Sequence, residues 1–154
     1  MGATASPGFG VAPLSAELLD DPLAFLSAEH VRQGVLLAHL ERLARKPAAP
    51  AAASMAQGLL HWLKEELPLH IADEETSLYP RLAPHDAGGT LAKLSADHRR
   101  DAQMVTDAVE TLRSIAAGEP LAPEALAAII DFVQLHREHL AIEEATIVGS
   151  VRCV

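Results

Sequence analysis

Two stretches of the sequence carry the same pair of side chains at the same spacing. His70 stands four residues before Glu74, and His139 stands four residues before Glu143. In an α-helix this spacing puts the imidazole and the carboxylate on one face, one turn apart. Imidazole and carboxylate are ligands that iron and manganese accept together. Each stretch therefore offers two neighbouring ligands to a metal ion.

A second motif repeats with nearly the same offset. Residues 26–32, LSAEHVR, return at 94–100 as LSADHRR, which places His30 and His98 68 positions apart. The histidines of the first motif are 69 positions apart. A near-constant offset over two motifs indicates an internal repeat. The chain is thus predicted to consist of two similar halves that together supply four histidines and two glutamates.

The composition favours helices. Of the 154 residues, 49% are hydrophobic but only 3% are aromatic, and leucine and alanine, both strong helix formers, dominate. A sheet protein would use more β-branched and aromatic residues. The chain is long enough for one domain with a sizeable core. We therefore expect a single all-α domain.

The charge and the cysteine content limit the partners and the compartment. A net charge of −9 argues against nucleic acid and against an anionic membrane, since both are bound through basic patches. The single cysteine, Cys153, excludes an internal disulfide and suits a reducing compartment. Neither a secretory signal nor an apolar run of about 20 residues is recognisable. We expect a cytoplasmic protein.

Turn signals divide the sequence into four helical segments. The predicted helices cover about 20–46, 51–79, 90–117 and 123–148. Pro68 is expected to kink or break the second of them. Long helices joined by short loops predict an up-down-up-down antiparallel four-helix bundle. The predicted parts are an irregular N-terminal arm at 1–19, the bundle at 20–149 and a C-terminal tail at 150–154.

All six repeated side chains fall on the apolar stripes of these helices. They are His30, His70, Glu74, His98, His139 and Glu143. A carboxylate is rarely buried unless it is paired or bound to a metal, and no lysine or arginine shares the stripes. We therefore expect the six to meet around two metal ions, each held by two imidazoles and one oxygen from each glutamate. A solvent-derived bridge would then leave one octahedral position open on each ion.

Several neighbouring residues have more than one interpretation. His136 competes with His139, but it has no glutamate four residues later, so we expect it beside the site or lining a channel. Glu75 and Glu144 point about 100° away from the expected ligands, and either are solvated or support the ligands from outside. Tyr79 either packs in the core or hydrogen-bonds near the site. The histidines expected at the surface or in a loop are His39, His61 and His85.

This arrangement resembles the hemerythrin-like (HHE cation-binding) domain. The resemblance rests on a lone histidine in the first and third helices, on the His-x-x-x-Glu pairs of the second and fourth, and on the ending Leu78-Tyr79-Pro80. It covers roughly Asp21 to Val148. It implies that the six side chains above are the ligands of a di-iron centre, bridged by Glu74 and Glu143 and by an oxo or hydroxo group. Manganese or zinc would be substitutes.

One position departs from the oxygen-carrying members of that family, which add a histidine one turn after the ligand of the third helix. Ala102 stands there, and its repeat counterpart is Gly34. These small residues argue against an oxygen carrier and are expected to leave room for a small diatomic or peroxide ligand. The sequence therefore favours a non-haem di-iron protein that binds or senses a small oxidant such as dioxygen, peroxide or nitric oxide.

Two other functions stay open at this point. The first is iron storage or donation, including iron–sulfur cluster repair, and the second is a metal-free helical interaction module. The sequence names no redox partner and does not decide whether the protein is an enzyme.

Overall fold

The computed structural model describes residues 22–86 and 88–148. Within these ranges the chain forms four helices and no β-strand, which confirms the predicted all-α bundle. The helices are α1 (Pro22–Arg45), α2 (52–82), α3 (Thr90–Ala116) and α4 (Pro123–Glu143, continued by a π-helical turn at Glu144–Val148). The predicted arm at 1–19, the helix start at Asp20 and Asp21, and the tail at 150–154 lie outside the described residues.

The four helices pack in a square. α1 packs against α2 and α4, and α3 packs against the same two neighbours. Because successive helices are joined by short connections, they run in alternating directions. None of the described helices is both long enough and apolar enough to cross a membrane.

The interior contains two apolar clusters with polar side chains between them. The larger cluster fills most of the bundle around Trp62 and Phe132, both fully buried. The smaller cluster consists of Leu26, Tyr79 and Leu94 with partly buried neighbours. Along α1, α2 and α3 the candidate ligands fall between the two clusters. Apolar side chains therefore shield these ligands from both directions along the bundle.

α2 contains two π-helical turns, each followed after one residue by a proline. The turns are Trp62–Glu66 and Glu74–Leu78. In the second turn the backbone N–H of Tyr79 donates to the carbonyl of Glu74, five residues back, and the first turn has the equivalent bond. This wider turn relieves the clash between a proline ring and the carbonyl four residues earlier. α2 therefore continues through Pro68 without a break, and the helix widens locally at the π turn before it.

Candidate metal centre

The six side chains predicted as ligands lie together in the bundle interior. They form two groups, in each of which four ligand atoms lie within 4.8 Å of one another. The first group is His30, His70, Glu74 and Glu143, and the second is His98, His139, Glu74 and Glu143. Each group takes histidines from two helices, and both groups share the two glutamates. Each group is therefore able to hold a metal ion, with the glutamates common to both.

Distances within the groups fit ligands that share an ion. Nε2 of His70 and Nε2 of His98 each lie 3.3 Å from Oε1 of Glu74. Nε2 of His30 lies 2.6 Å from Oε1 of Glu143, and Nε2 of His139 lies 3.2 Å from Oε2 of Glu143. Ligands at right angles on an ion with bonds of about 2.1 Å are about 3.0 Å apart. The nitrogen–oxygen distances therefore bracket the separation that a bound ion needs.

Several of the atoms that face into the two groups lack hydrogen-bond partners. Five such buried atoms are Nε2 of His30, His70 and His98, Oε2 of Glu74 and Oε1 of Glu143. The 2.6 Å approach of His30 to Glu143 is not aligned as a hydrogen bond. A buried polar atom without a partner costs about 1–3 kcal/mol, so five in one place are costly in an empty core. Metal ions would give all five a partner, and the residues present fit a two-metal centre.

The two lone histidines, His30 and His98, are each oriented by a glutamate. In the sequence, each of these glutamates directly follows one of the two glutamates that the ligand groups share. Nδ1 of His30 donates to Oε2 of Glu144 at 2.6 Å, and Oγ of Ser27 donates to the same carboxylate at 2.5 Å. The second half repeats this arrangement. Nδ1 of His98 donates to Oε1 of Glu75 at 2.8 Å, and Oγ of Ser95 donates to Oε2 of the same carboxylate at 2.9 Å. An imidazole that donates from Nδ1 presents an unprotonated Nε2 to a metal. Glu75 and Glu144 had two interpretations, and the structure favours the one in which they support the ligands from outside the centre.

Asp97 orients the histidine of α4 in the same way. Its Oδ2 accepts from Nδ1 of His139 at 3.1 Å, and Nζ of Lys93 donates to both carboxylate oxygens at 3.1 Å. Burial alone would raise the pKa of Asp97, but these hydrogen bonds lower it. Sequence reasoning missed this residue. The available signal was the carboxylate that precedes the lone histidine in both halves, Glu29 in the first and Asp97 in the second.

Comparison with known families agrees with this geometry. The family described as the hemerythrin HHE cation binding domain matches residues 21–150. The chain belongs to this family. The match spans the whole described bundle and all six residues of the candidate centre. No curated protein and no solved structure gave a significant match.

Tyr79 reaches the centre of this hemerythrin domain because of the second π turn of α2. Five residues after Glu74, an α-helix would turn a side chain about 140° away from the ligand face, whereas a π turn returns it to that face. The Tyr79 hydroxyl donates to Oε2 of Glu143 at 2.5 Å, and its ring stacks on His98 with 5.6 Å between centroids. Leu78, which α-helical spacing placed inward, is only half-buried. Burial and the nearby carboxylates raise the pKa of Tyr79, so its hydroxyl remains a donor.

His136 lies beside the candidate ligands but belongs to neither group. It is buried, and its ring stacks between those of Phe132 and His139 at 5.4 Å and 5.5 Å. Its Nδ1 donates to Oδ2 of Asp101 at 2.8 Å, and its Nε2 lies 2.9 Å from the side-chain amide oxygen of Gln33. Burial lowers the pKa of His136, so the ring is neutral at neutral pH. Both ring nitrogens have protein partners, which supports His139 as the α4 ligand.

The interior one turn after the lone histidines is filled, contrary to the expectation based on Gly34 and Ala102. Ala102 is exposed, and a Cβ added at Gly34 would meet nothing within 4 Å. The inward-facing residues stand one position earlier, Gln33 and Asp101, and both are buried. On a helix, the side chains three and four residues after a ligand point to opposite sides of the ligand's direction. Here the side chain three residues later faces the neighbouring helix, and the one four residues later does not. A histidine at position 102, as in the oxygen-carrying hemerythrins, would here face solvent.

The carboxylates in and around the centre shift the pKa of its histidines. Burial alone would lower the pKa of the four candidate histidines, but hydrogen bonds and charge from neighbouring carboxylates raise it. Burial alone would raise the pKa of Glu143, but the adjacent imidazoles of His139 and His30 and the Tyr79 hydroxyl lower it. Protons and metal ions therefore compete for the same imidazoles, and metal binding releases protons.

Removing the carboxylate partner of one lone histidine is expected to weaken one metal position more than the other. Glu144→Gln removes the charged partner of His30, and Glu75→Gln does the same for His98. Each variant should lower the affinity for one ion by about 10–100-fold, as loss of an outer hydrogen-bond partner typically does. Calorimetric metal titration measures this, with the exposed Glu138→Gln as a matched control. Equal weakening of both ions, or none beyond the control, would contradict the assignment.

Proposed function

We propose that this hemerythrin family domain binds two iron ions between its helices and, beside them, a small oxidant such as dioxygen, peroxide or nitric oxide. Family membership and the His/Glu cluster support cation binding. The donors are imidazole and carboxylate, a set that suits iron or manganese rather than a thiolate-rich structural zinc site. When bound, the iron pair would supply the redox chemistry that the side chains lack.

The observation that carries this proposal is the set of five buried ligand atoms without hydrogen-bond partners. They converge on the shared carboxylates of Glu74 and Glu143, while carboxylates outside the centre hold the opposite ring nitrogens of three histidines. The chain therefore fixes ring orientation before a metal arrives. The Tyr79 hydroxyl donates its proton to a hydrogen bond with Oε2 of Glu143, with 2.5 Å between the two oxygens. The two apolar clusters limit the access of water.

Iron storage or donation, including iron–sulfur cluster repair, is the second candidate. Unequal access to the two groups favours it. The side chain of His70 is 14% exposed, whereas that of His139 is 1% exposed. An ion held partly by an accessible ligand exchanges more readily than an ion enclosed on all sides.

We place the domain in the cytoplasm, where its single cysteine would stay reduced. Its partner there would be the small diatomic or peroxide ligand. The net charge of −9 argues against nucleic acid and against a membrane surface as further partners. No residue points to a particular redox partner.

Metal analysis with a visible–ultraviolet spectrum tests the proposal. Protein expressed with iron should carry two irons per chain and show an oxo-bridged di-iron absorption in air. Azide, nitric oxide or peroxide should shift that absorption while iron is retained. Rapid transfer of iron to a chelator without such shifts would favour storage or donation. If the unchanged protein is colourless and free of iron, and if it folds equally well with all six candidate ligands changed to alanine, only the metal-free interaction module remains.

A further inference from the structure

An open cleft beside α2 leads from the surface to the first candidate metal group. Its volume is about 250 Å³, and its lining includes His70 and Glu74. Three further lining side chains are apolar, Phe25 and Leu26 from α1 and Leu78 from α2. Neither histidine of the second group lines it, and every member of that group is buried. Of the four candidate histidines, the cleft therefore reaches only His70, which belongs to the first group.

The cleft is larger than a diatomic ligand needs. One water molecule needs only about 10–15 Å³ of such space, so a cleft of about 250 Å³ has room for many more atoms than a diatomic ligand has. Dioxygen or nitric oxide would leave most of it to solvent against apolar walls. A small organic molecule would occupy more of it and remove those walls from water, which is favourable.

The rim of the cleft carries a cation, the guanidinium of Arg81. Arg81 is exposed at the rim, and no ion pair joins it to any other residue in the part of the chain that the structure describes. A guanidinium binds a carboxylate through two parallel hydrogen bonds. Asp73 also lines the cleft, about 12 Å earlier along the helix and on the side of His70. The cleft therefore has an acidic end near the candidate ligands and a basic end at Arg81, and an anionic group is directed to the basic end.

We propose that this cleft binds a small organic carboxylate whose charged group pairs with Arg81. Its apolar chain lies against Phe25, Leu26 and Leu78 and ends next to His70. The proposal concerns binding beside the first metal position. It rests on the proposed function only in taking His70 and Glu74 as metal ligands.

Hexanoate is a suitable probe because it combines a short apolar chain with one negative charge. We expect it to bind both the metal-free and the iron-loaded full chain and to shift the methyl resonances of Leu26 and Leu78 in NMR spectra. Hexanol, which lacks the charge, should bind about five- to tenfold more weakly, and Arg81→Gln should weaken hexanoate by a similar factor. Leu78→Trp fills the cleft and should abolish binding of both probes.

The matched control is Arg99→Gln, which removes another exposed arginine that lies away from the cleft. It should leave hexanoate affinity unchanged. The inference is overturned if hexanoate shifts no methyl group in the cleft, or if Arg81→Gln and Arg99→Gln behave alike. If hexanoate fails to bind while azide still shifts the spectrum of the iron-loaded protein, the inference falls and the proposed function stands. If hexanoate binds as expected to a protein that takes up no iron, the inference stands and the proposed function falls.

Discussion

Replacing Glu143 by glutamine is expected to leave the protein with far fewer than two metal ions per chain. Glu143 belongs to both ligand groups, and it is fully buried. The amide keeps the size of the side chain but loses its charge and one acceptor oxygen. Both positions should therefore weaken by more than the roughly 10–100-fold that follows loss of an outer partner. Metal content after dialysis, measured against protein concentration, gives the result.

The control for this variant is Glu138→Gln, an exposed glutamate on the same helix. It should keep the full metal content. The melting temperature of the metal-free proteins separates loss of a ligand from loss of the fold, since a variant that only loses a ligand still unfolds cooperatively. Two tightly bound ions in the Glu143 variant would show that the glutamates are not shared between metals.

Replacing Asp101 by alanine should destabilise the metal-free domain by about 3 kcal/mol. Asp101 is 0% exposed and accepts hydrogen bonds from His136 at 2.8 Å and from Arg100 at 2.8 Å and 3.1 Å. Burial alone would raise the pKa of Asp101, but its bond to His136 lowers it. Without the carboxylate, Nδ1 of His136 is buried without an acceptor. Urea unfolding monitored by circular dichroism measures the change.

Asp107→Ala on the same helix is the matched control, because Asp107 is exposed and should cost no more than about 0.5 kcal/mol. The double variant Asp101→Leu with His136→Phe removes both partners together and should recover part of the loss. If Asp101→Ala unfolds at the same urea concentration as Asp107→Ala, the buried network contributes nothing to stability.

The positions of the candidate ligands were predictable because they depend on local spacing. A histidine and a glutamate four residues apart share a helix face in any α-helix, and the repeat duplicates that face. Tyr79 was left between core packing and a hydrogen bond near the site, because its approach to Glu143 depends on an i→i+5 bond that α-helical periodicity does not contain. That bond is a response to Pro80, so the proline was the available signal.

The carboxylates around the ligands were harder to predict, because their partners lie far away in the sequence. Asp97 bonds to His139 and Asp101 bonds to His136, across 42 and 35 positions. A single helix shows Asp101 only as a charged residue near the edge of an apolar stripe. Its burial follows from the facing histidine on α4. Ala102, rather than Asp101, was expected to border the centre because the oxygen-carrying hemerythrins have a histidine four residues after the ligand of the third helix.

The sharing of Glu143 also fixes an order of events during protein synthesis. α1 and α2 leave the ribosome first, with two histidines and one glutamate of the first group. That group stays incomplete until α4 has been made and packed, because Glu143 stands in the last turn of that helix. A nascent chain would therefore hold a metal ion only weakly, and tight loading would wait for the finished bundle. The cell would then deliver metal to a folded protein rather than to a folding one.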